Sequence, residues 1–248
     1  MEILYILWLR QVKKYFRSRS RIIGSLAQPL LYLVAFGYGL GSVFAKAGQG
    51  NYIQFLAPGI IAMSVLFTAI FAGIEIIWDR QFGFLKETMV APVSRFTIML
   101  GRTLGGATVA TIQGLIVLIL STLVGFRPTD FMLLPTAILF MFIIALLFTA
   151  LGTAIASTME DMQGFQLVMN FLIMPIFFLS GSLFPLSGLP AVMQVITRID
   201  PMTYGIDGLR ASLGGVANFG LGPDLLILSG ITLLLLFIGS YLFSKIQI

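Results

Sequence analysis

The chain has 248 residues, of which 58% are hydrophobic and only 10% are charged, against about 25% charged residues in a soluble globular domain. This composition excludes a soluble cytoplasmic enzyme. The sequence contains no cysteine and no histidine, which excludes thiol nucleophiles, disulfides, imidazole bases and the commonest transition-metal ligands. Its 15 basic residues outnumber its 10 acidic ones. They lie between apolar stretches, so we expect no nucleic-acid partner.

Uncharged stretches of the length that a helix needs to cross a hydrocarbon core, about 20 residues, recur along the chain. A spanning segment must be a helix or part of a closed barrel, and these unbroken apolar runs lack the alternation of barrel strands. Core helices of a large soluble protein are the alternative, but they would need polar helices to cover them. We therefore predict an all-α integral membrane protein with a transmembrane domain over 22–246 and six spans at about 22–44, 53–77, 99–125, 132–157, 163–183 and 224–244.

The basic residues are shared unevenly between the loops. Six precede the first predicted span, four lie between the second and the third, and one follows the last. With an even number of spans these residues share one side, which the positive-inside rule places in the cytoplasm. We expect a multi-pass protein of the cell membrane (the inner, cytoplasmic membrane) with both termini cytoplasmic.

Residues 1–21 have the pattern of an amphipathic helix. At 100° per residue, one face carries Leu4, Trp8, Val12 and Tyr15, and the opposite face carries Arg10, Lys13, Lys14 and Arg17. Such a helix lies at the surface of an anionic leaflet, in contact with membrane lipids. A positive-inside anchor, which needs the charges but no aromatic face, is the alternative.

Glu75 is the ionisable residue that lies inside an otherwise apolar predicted span. Carboxylates inside the membrane often relay protons or coupling ions. Glu75 lies only three residues before Trp78, near the predicted inner interface, so a salt-bridge partner at that interface is the alternative. The scarcity of midplane carboxylates disfavours an ion-coupled carrier.

Residues 78–93 have the periodicity of a short amphipathic helix at the cytoplasmic surface. Its apolar stripe consists of Trp78, Phe82, Leu85, Met89 and Val93. Pro92 ends this helix and Ser94 suits the N-cap of the next span. A helix held at the membrane surface can receive force from a soluble partner. A solvated connecting helix, which would have the same periodicity, is the alternative.

The apolar stretch that follows residue 162 is too long for one span and is interrupted by prolines and glycines, Gly181, Pro185 and Pro190 among them. Irregular backbone at membrane depth is tolerated only where it packs against protein or lines a cavity. We predict a re-entrant or interfacial segment over 184–212, with a long outer loop as the alternative.

Two motifs carry a resemblance to a known family. The first reads RxxGxLxExxxAPxxR and consists of Arg80, Gly83, Leu85, Glu87, Ala91, Pro92 and Arg95. The second, about 90 residues downstream, includes Ser180, Gly181, Phe184, Pro185, Leu189, Pro190, Pro201, Tyr204, Leu209 and Arg210. They resemble the cytoplasmic coupling region and the segment after the fifth span of type 2 ATP-binding cassette (ABC) permeases, most closely those of the daunorubicin-resistance type.

The resemblance implies a transport subunit rather than an enzyme: a permease that exports a drug, lipid or lipid-linked glycan. It implies a dimer, in the simplest case a homodimer, that binds two copies of a cytoplasmic nucleotide-binding ATPase. The sequence has no GxxxxGK[ST] loop, so ATP and Mg would bind that partner, and we expect no cofactor or metal on this chain. A gradient-driven carrier or channel without an ATPase is the alternative. A membrane enzyme is a third, for which no nucleophile and base can be paired.

By the same resemblance, three groups of residues carry the function. The ATPase-coupling group comprises Arg80, Gly83, Leu85, Glu87, Pro92 and Arg95. The interface-helix group, also directed at the ATPase, comprises Trp8, Arg10, Lys13, Lys14 and Arg17. The re-entrant group comprises Gly181, Pro185, Pro190, Pro201, Tyr204 and Arg210. Lys86, Glu87 and Thr88 depart from the family pattern of an acidic residue followed by a hydrophobic one, which leaves the particular ATPase open.

Overall fold

The computed structural model describes residues 2–46, 50–85, 88, 93–186, 190–215 and 217–246. In this part of the chain six helical segments are long and apolar enough to cross a membrane, which confirms an all-α integral membrane protein. The helices in chain order are α1 (Glu2–Arg17), α2 (Arg19–Gly39), α3 (Gly41–Lys46), α4 (Tyr52–Phe71), α5 (Ile74–Gln81), α6 (Arg95–Val124), α7 (Leu134–Thr158), α8 (Met162–Leu179), α9 (Ala191–Ile199), α10 (Pro201–Gly214) and α11 (Leu221–Ser244).

Short polar side chains fix the beginnings of several helices. The Ser94 hydroxyl accepts a hydrogen bond from the Thr97 N–H at 3.1 Å, which confirms the predicted cap of α6. Asp161 accepts from the N–H groups of the first turn of α8, and Asp200 does the same for α10. Each side chain satisfies backbone donors that have no partner within the helix.

The core of the bundle is built around α4. Helices α2, α6, α7 and α10 pack against α4, and most of its side chains are buried. Helices α2, α8 and α11 lie at the periphery and turn large apolar side chains outward, for example Leu31, Phe171 and Phe237. This arrangement buries the apolar centre against protein and leaves an apolar outer surface for lipid.

The break between α4 and α5 lies directly against α7. A Cβ atom on Gly73 would lie 2.5 Å from the carbonyl carbon of Gly152, so the two backbones touch without an intervening side chain. Small residues allow such close approach of membrane helices. The polypeptide therefore turns from α4 into α5 at a point fixed by backbone packing.

The segment after α8 returns into the bundle. Helix α9 is amphipathic and leaves Val192, Val195 and Ile199 exposed. Helix α10 is almost wholly buried among α4, α7 and α11. Its 14 residues span about 21 Å at 1.5 Å per residue, less than the roughly 30 Å hydrocarbon core.

The structure differs from the continuous helix predicted over 78–93. Helix α5 begins before this segment and ends at Gln81, because Gly83 adopts a left-handed conformation with φ of +79°. Helical backbone resumes at Phe84 and Leu85. The predicted coupling residues Glu87 and Pro92 lie outside the described residues.

Candidate functional site

Two ion pairs join α5 to α1. Lys14 Nζ lies 3.1 Å from a carboxylate oxygen of Glu75, and Arg10 Nη2 lies 3.4 Å from Asp79. Both basic side chains are about half exposed, whereas both carboxylates are nearly buried. The interpretation of Glu75 as a salt-bridge partner is confirmed.

A third ion pair joins α5 to α6 and is buried on both sides. Arg102 Nη2 donates to Asp79 at 2.6 Å, and the side chains are 4% and 10% exposed respectively. Arg102 Nε and Nη1 are buried and have no hydrogen-bond partner among the described residues. The stability of the fold therefore depends on the Asp79 carboxylate, because its removal would leave the buried Arg102 charge uncompensated.

A fourth contact joins α5 to the short link between α7 and α8. Arg80 Nη2 donates to the Glu160 carboxylate at 2.8 Å, and Gln81 Nε2 donates to the Glu160 backbone carbonyl at 3.0 Å. Helix α5 is therefore bound to three separate parts of the chain: α1, α6 and the α7–α8 link.

Helix α1 packs directly on α6. A Cβ atom on Gly105 would lie 2.7 Å from the Gln11 side chain, and one on Gly101 would lie 3.1 Å from the Leu7 Cβ. Trp8 Nε1 donates to the Thr108 hydroxyl at 2.9 Å. The two α6 glycines thus provide the shallow surface on which α1 lies.

The aromatic face of α1 that the sequence indicated packs against α6, and the position of this helix at the membrane surface stays a prediction. Tyr15 is buried and its hydroxyl donates to the Gln113 side chain in the middle of α6. The sequence did not indicate α6 as the neighbour of this face, because an amphipathic pattern records only that one face is apolar and is the same for lipid and protein neighbours. Lys13 and Arg17 are exposed, as predicted.

The predicted coupling residues surround the end of α5. Leu85 is fully buried, whereas Trp78, Phe82 and Phe84 are exposed and form an apolar patch. A Cβ atom on Gly83 would meet no described residue within 4 Å. Ion-paired side chains therefore lie on one side of α5, and apolar side chains at its end face outward.

Arg95 joins the beginning of α6 to the end of α11. Its Nη1 donates to the backbone carbonyls of Ser244 and Ile246. A cation at the carboxyl end of a helix satisfies carbonyls that have no partner within the helix and interacts favourably with the helix dipole. The end of α11 is thereby held at the same end of the bundle as α5.

The predicted re-entrant residues lie at the opposite end of the bundle. Gly181 has φ of +75°, and its carbonyl accepts from Arg210 Nη2 at 3.1 Å. The Tyr204 hydroxyl donates to the Arg198 carbonyl at 2.7 Å and so joins α10 to α9. The prolines lie at junctions: Pro185 follows the turn after α8, Pro190 directly precedes α9 and Pro201 begins α10.

Sequence reasoning missed three residues of the α5 network: Asp79, Arg102 and Glu160. Arg102 carried a usable signal, because it is a charge within the apolar sequence of α6. Asp79 follows Glu75 by one helical turn, which places both carboxylates on one side of α5. Nothing local singles out Glu160, whose partner Arg80 is 80 residues away in the sequence.

Comparisons with known proteins agree on one family. Residues 2–213 match the family model described as ABC-2 type transporter. The chain is 28% identical over 214 residues to a transport permease named ycf38 from Cyanophora paradoxa, covering 84% of this chain and 72% of that protein. It is 30% identical over 213 residues to Nodulation protein J of Rhizobium leguminosarum bv. trifolii, covering 85% and 78% respectively.

Proposed function

Because this chain belongs to the ABC-2 type transporter family, we propose that it is the membrane-spanning subunit of an ATP-driven exporter. Members of the family are membrane transport permeases and generally work with an ATPase component. The proposed complex is a homodimer of this chain with two ATPase subunits, which bind ATP and Mg. Its cargo is a hydrophobic or amphipathic compound. It lies in the cell membrane with both termini of this chain cytoplasmic.

The observation that carries the proposal is the network around α5. An ATPase that docks on the apolar patch of Trp78, Phe82 and Phe84 would push on α5. The ion pairs of α5 would then move α1, α6 and the α7–α8 link together with it. Because α5 continues directly from α4, the same displacement would reach the centre of the bundle.

Helix α1 supplies a second contact surface for the proposed ATPase. Lys13 and Arg17 are exposed on its outer side, and with Arg10 they line an open groove between α1 and the beginning of α2. Basic side chains of this kind steer an acidic partner surface toward its docking position. In this proposal α1 orients the ATPase while the end of α5 receives its motion.

The first experiment is purification of the tagged chain from native membranes, with mass spectrometry of co-purifying proteins and a vanadate-sensitive ATPase assay. Co-purification of a nucleotide-binding subunit with vanadate-sensitive hydrolysis is the expected result. A chain that purifies alone, and that moves a solute under an ion gradient after reconstitution, would instead establish the gradient-driven carrier.

Coupling is tested with Arg80→Ala, which removes the ion pair to Glu160. We expect the variant to retain its ATPase partner and ATP hydrolysis while efflux of the fluorescent amphiphile Hoechst 33342 falls roughly tenfold, equivalent to about 1.4 kcal/mol of lost coupling. The matched control is Arg198→Ala, an exposed arginine at the opposite end of the bundle. Parental efflux by Arg80→Ala would show that the contact between α5 and the α7–α8 link does not transmit the motion.

A further inference from the structure

A cavity of about 500 Å³ opens at the end of the bundle opposite α1. Its walls come from α3, the beginning of α4, the α6–α7 loop, the turn after α8 and the end of α10. The lining combines aromatic rings, neutral polar groups and two arginines, Arg127 and Arg210, and none of the described lining residues is acidic.

Arg210 brings a buried positive charge to this cavity. The residue is 6% exposed, and its Nη2 donates to the carbonyls of Phe55 and Gly181 at 3.3 and 3.1 Å. Its Nε is buried and finds no hydrogen-bond partner in the part of the chain that the structure describes. Burial lowers the pKa of the Arg210 guanidinium to about 10, and the charge of Asp207 opposes that effect. Among the described residues, only backbone carbonyls accept hydrogen bonds from this cation, and no carboxylate forms an ion pair with it. An anion in the cavity would therefore be strongly favoured.

Asp207, the acidic residue near Arg210, already has other donors. Its carboxylate accepts from the Asn218 N–H at 2.9 Å, from Asn218 Nδ2 at 2.8 Å and from the Phe219 N–H at 2.8 Å. These bonds tie α10 to the loop before α11. The carboxylate thereby fixes the loop and makes no ion pair with Arg210 within the described part of the chain.

Arg127 contributes the second positive charge from an exposed position. The Gln54 side-chain amide holds its backbone. The Arg127 N–H donates to Gln54 Oε1 at 3.4 Å, and with the Gln54 amide in the flipped orientation the oxygen lies 3.0 Å from the Arg127 N–H and the nitrogen 3.1 Å from the Arg127 carbonyl. No ion pair forms on this arginine among the described residues. Its side chain is therefore available to a ligand while its backbone position is fixed.

The aromatic wall lies beside the arginines. The Phe44 and Phe55 rings have centroids 5.5 Å apart, and the Arg210 guanidinium lies 4.0 Å from the centre of the Phe55 ring. Cationic groups next to aromatic surface suit a ligand with an anionic group on an apolar body.

From this geometry we infer that the cavity binds the anionic group of an amphiphile, a phosphate or a carboxylate, between Arg127 and Arg210, with its apolar body against the Phe44 and Phe55 rings. Binding here needs neither ATP nor an ATPase partner. It is therefore separate from the coupling role of α5, and each proposal can fail without the other.

The test is calorimetric titration of the purified full-length chain in dodecyl maltoside micelles, with empty micelles as the blank. Dodecyl phosphate, inorganic phosphate and dodecanol are the probes, and they separate an amphiphile from a free anion and from a neutral alkyl chain. We expect dodecyl phosphate to bind more tightly than either other probe, and its affinity to fall as salt is raised because the arginine charges are screened.

The decisive variant is Arg127→Gln, since this side chain is exposed and forms no ion pair with the described residues. We expect its affinity for dodecyl phosphate to fall about fivefold, the effect of one partly screened charge. The matched control Arg198→Gln, an exposed arginine outside the cavity, should bind as the parent does. Arg210→Gln should bind more weakly still, but it also removes two bonds to carbonyls, so its folding is checked first by thermal unfolding.

Two results would overturn the recognition of the anionic group, and a third would overturn that of the apolar body. One is equal affinity for dodecyl phosphate and dodecanol, which would show that the anionic group is not recognised. The other is an equal loss of affinity for dodecyl phosphate in Arg127→Gln and Arg198→Gln, which would show that the ligand responds to the overall positive charge of the protein and not to Arg127 in the cavity. Inorganic phosphate binding as tightly as dodecyl phosphate would refute the apolar part of the site.

Discussion

Replacing Asp79 by leucine is expected to destabilise the protein strongly, because it leaves Arg102 as an unpaired cation. The Arg102 side chain is 4% exposed, and two of its three guanidinium nitrogens already lack a hydrogen-bond partner within the described ranges, so solvent cannot replace the lost carboxylate. Breaking a buried ion pair by removing one partner costs about 3–5 kcal/mol. Arg10 loses the same carboxylate, but it is half exposed and adds little.

A second substitution isolates the pair. Arg102→Met removes the buried cation and supplies a side chain of similar length, so the double variant with Asp79→Leu should recover much of the lost stability. We expect a coupling free energy of about 2–3 kcal/mol between the two positions. The control is Arg17→Met, an exposed arginine outside the network, which should leave the free energy of unfolding unchanged.

The measurement is reversible unfolding by sodium dodecyl sulfate in mixed micelles, followed by tryptophan fluorescence. Trp78 directly precedes Asp79 and reports on this part of α5. If the free energies of the two single variants simply add in the double variant, within about 0.5 kcal/mol, the side chains do not interact and the reasoning is refuted.

Three further substitutions test separate contacts. Gly105→Val should lift α1 from α6 and shift the emission of the α1 tryptophan to the red, whereas Gly230→Val, where an added Cβ meets nothing within 4 Å, should not. Gly73→Ala drives a methyl group into the α7 backbone and should lower the free energy of unfolding by about 1–3 kcal/mol, with Gly24→Ala as the unhindered control. Burial raises the pKa of Asp200 to about 7, with the Met202 N–H opposing. Because the folded state then binds the proton more tightly than the unfolded state, the thermal stability of the parent should fall from pH 5 to pH 8 relative to Asp200→Asn. Parallel profiles of these two proteins would count against a buried carboxyl group at this position.

The spanning helices could be predicted because each rests on a local property of the sequence. A long uncharged run needs no knowledge of its neighbours, since the membrane itself imposes helical structure. The Ser94 cap is equally local, because its acceptor and the Thr97 N–H lie three residues apart. Spanning helices and helix caps are both determined by residues that are close together in the sequence.

The α5 network could not be predicted because its partners are distant in sequence. Arg10 and Asp79 are 69 residues apart and Arg80 and Glu160 are 80 apart, so only the packed fold brings them together. Gly101 and Gly105 have the spacing of a close helix contact, but a chain with 26 glycines contains such pairs by chance. At Gly83 a local feature contradicted the prediction. The apolar periodicity predicted a continuous helix over 78–93, but the positive φ of this one residue ends the helix before it.

The packing of α1 on α6 has a consequence for biosynthesis. Trp8 and Tyr15 bond to Thr108 and Gln113, residues that leave the ribosome about 100 positions later. At 5–20 residues per second, the nascent helix waits for at least about 5 s before its binding surface exists. During that interval its aromatic face needs a substitute environment, and the headgroup region of the membrane offers one. The amphipathic pattern of this helix therefore serves two successive neighbours: lipid while the chain is being made, and α6 once the third span has been inserted.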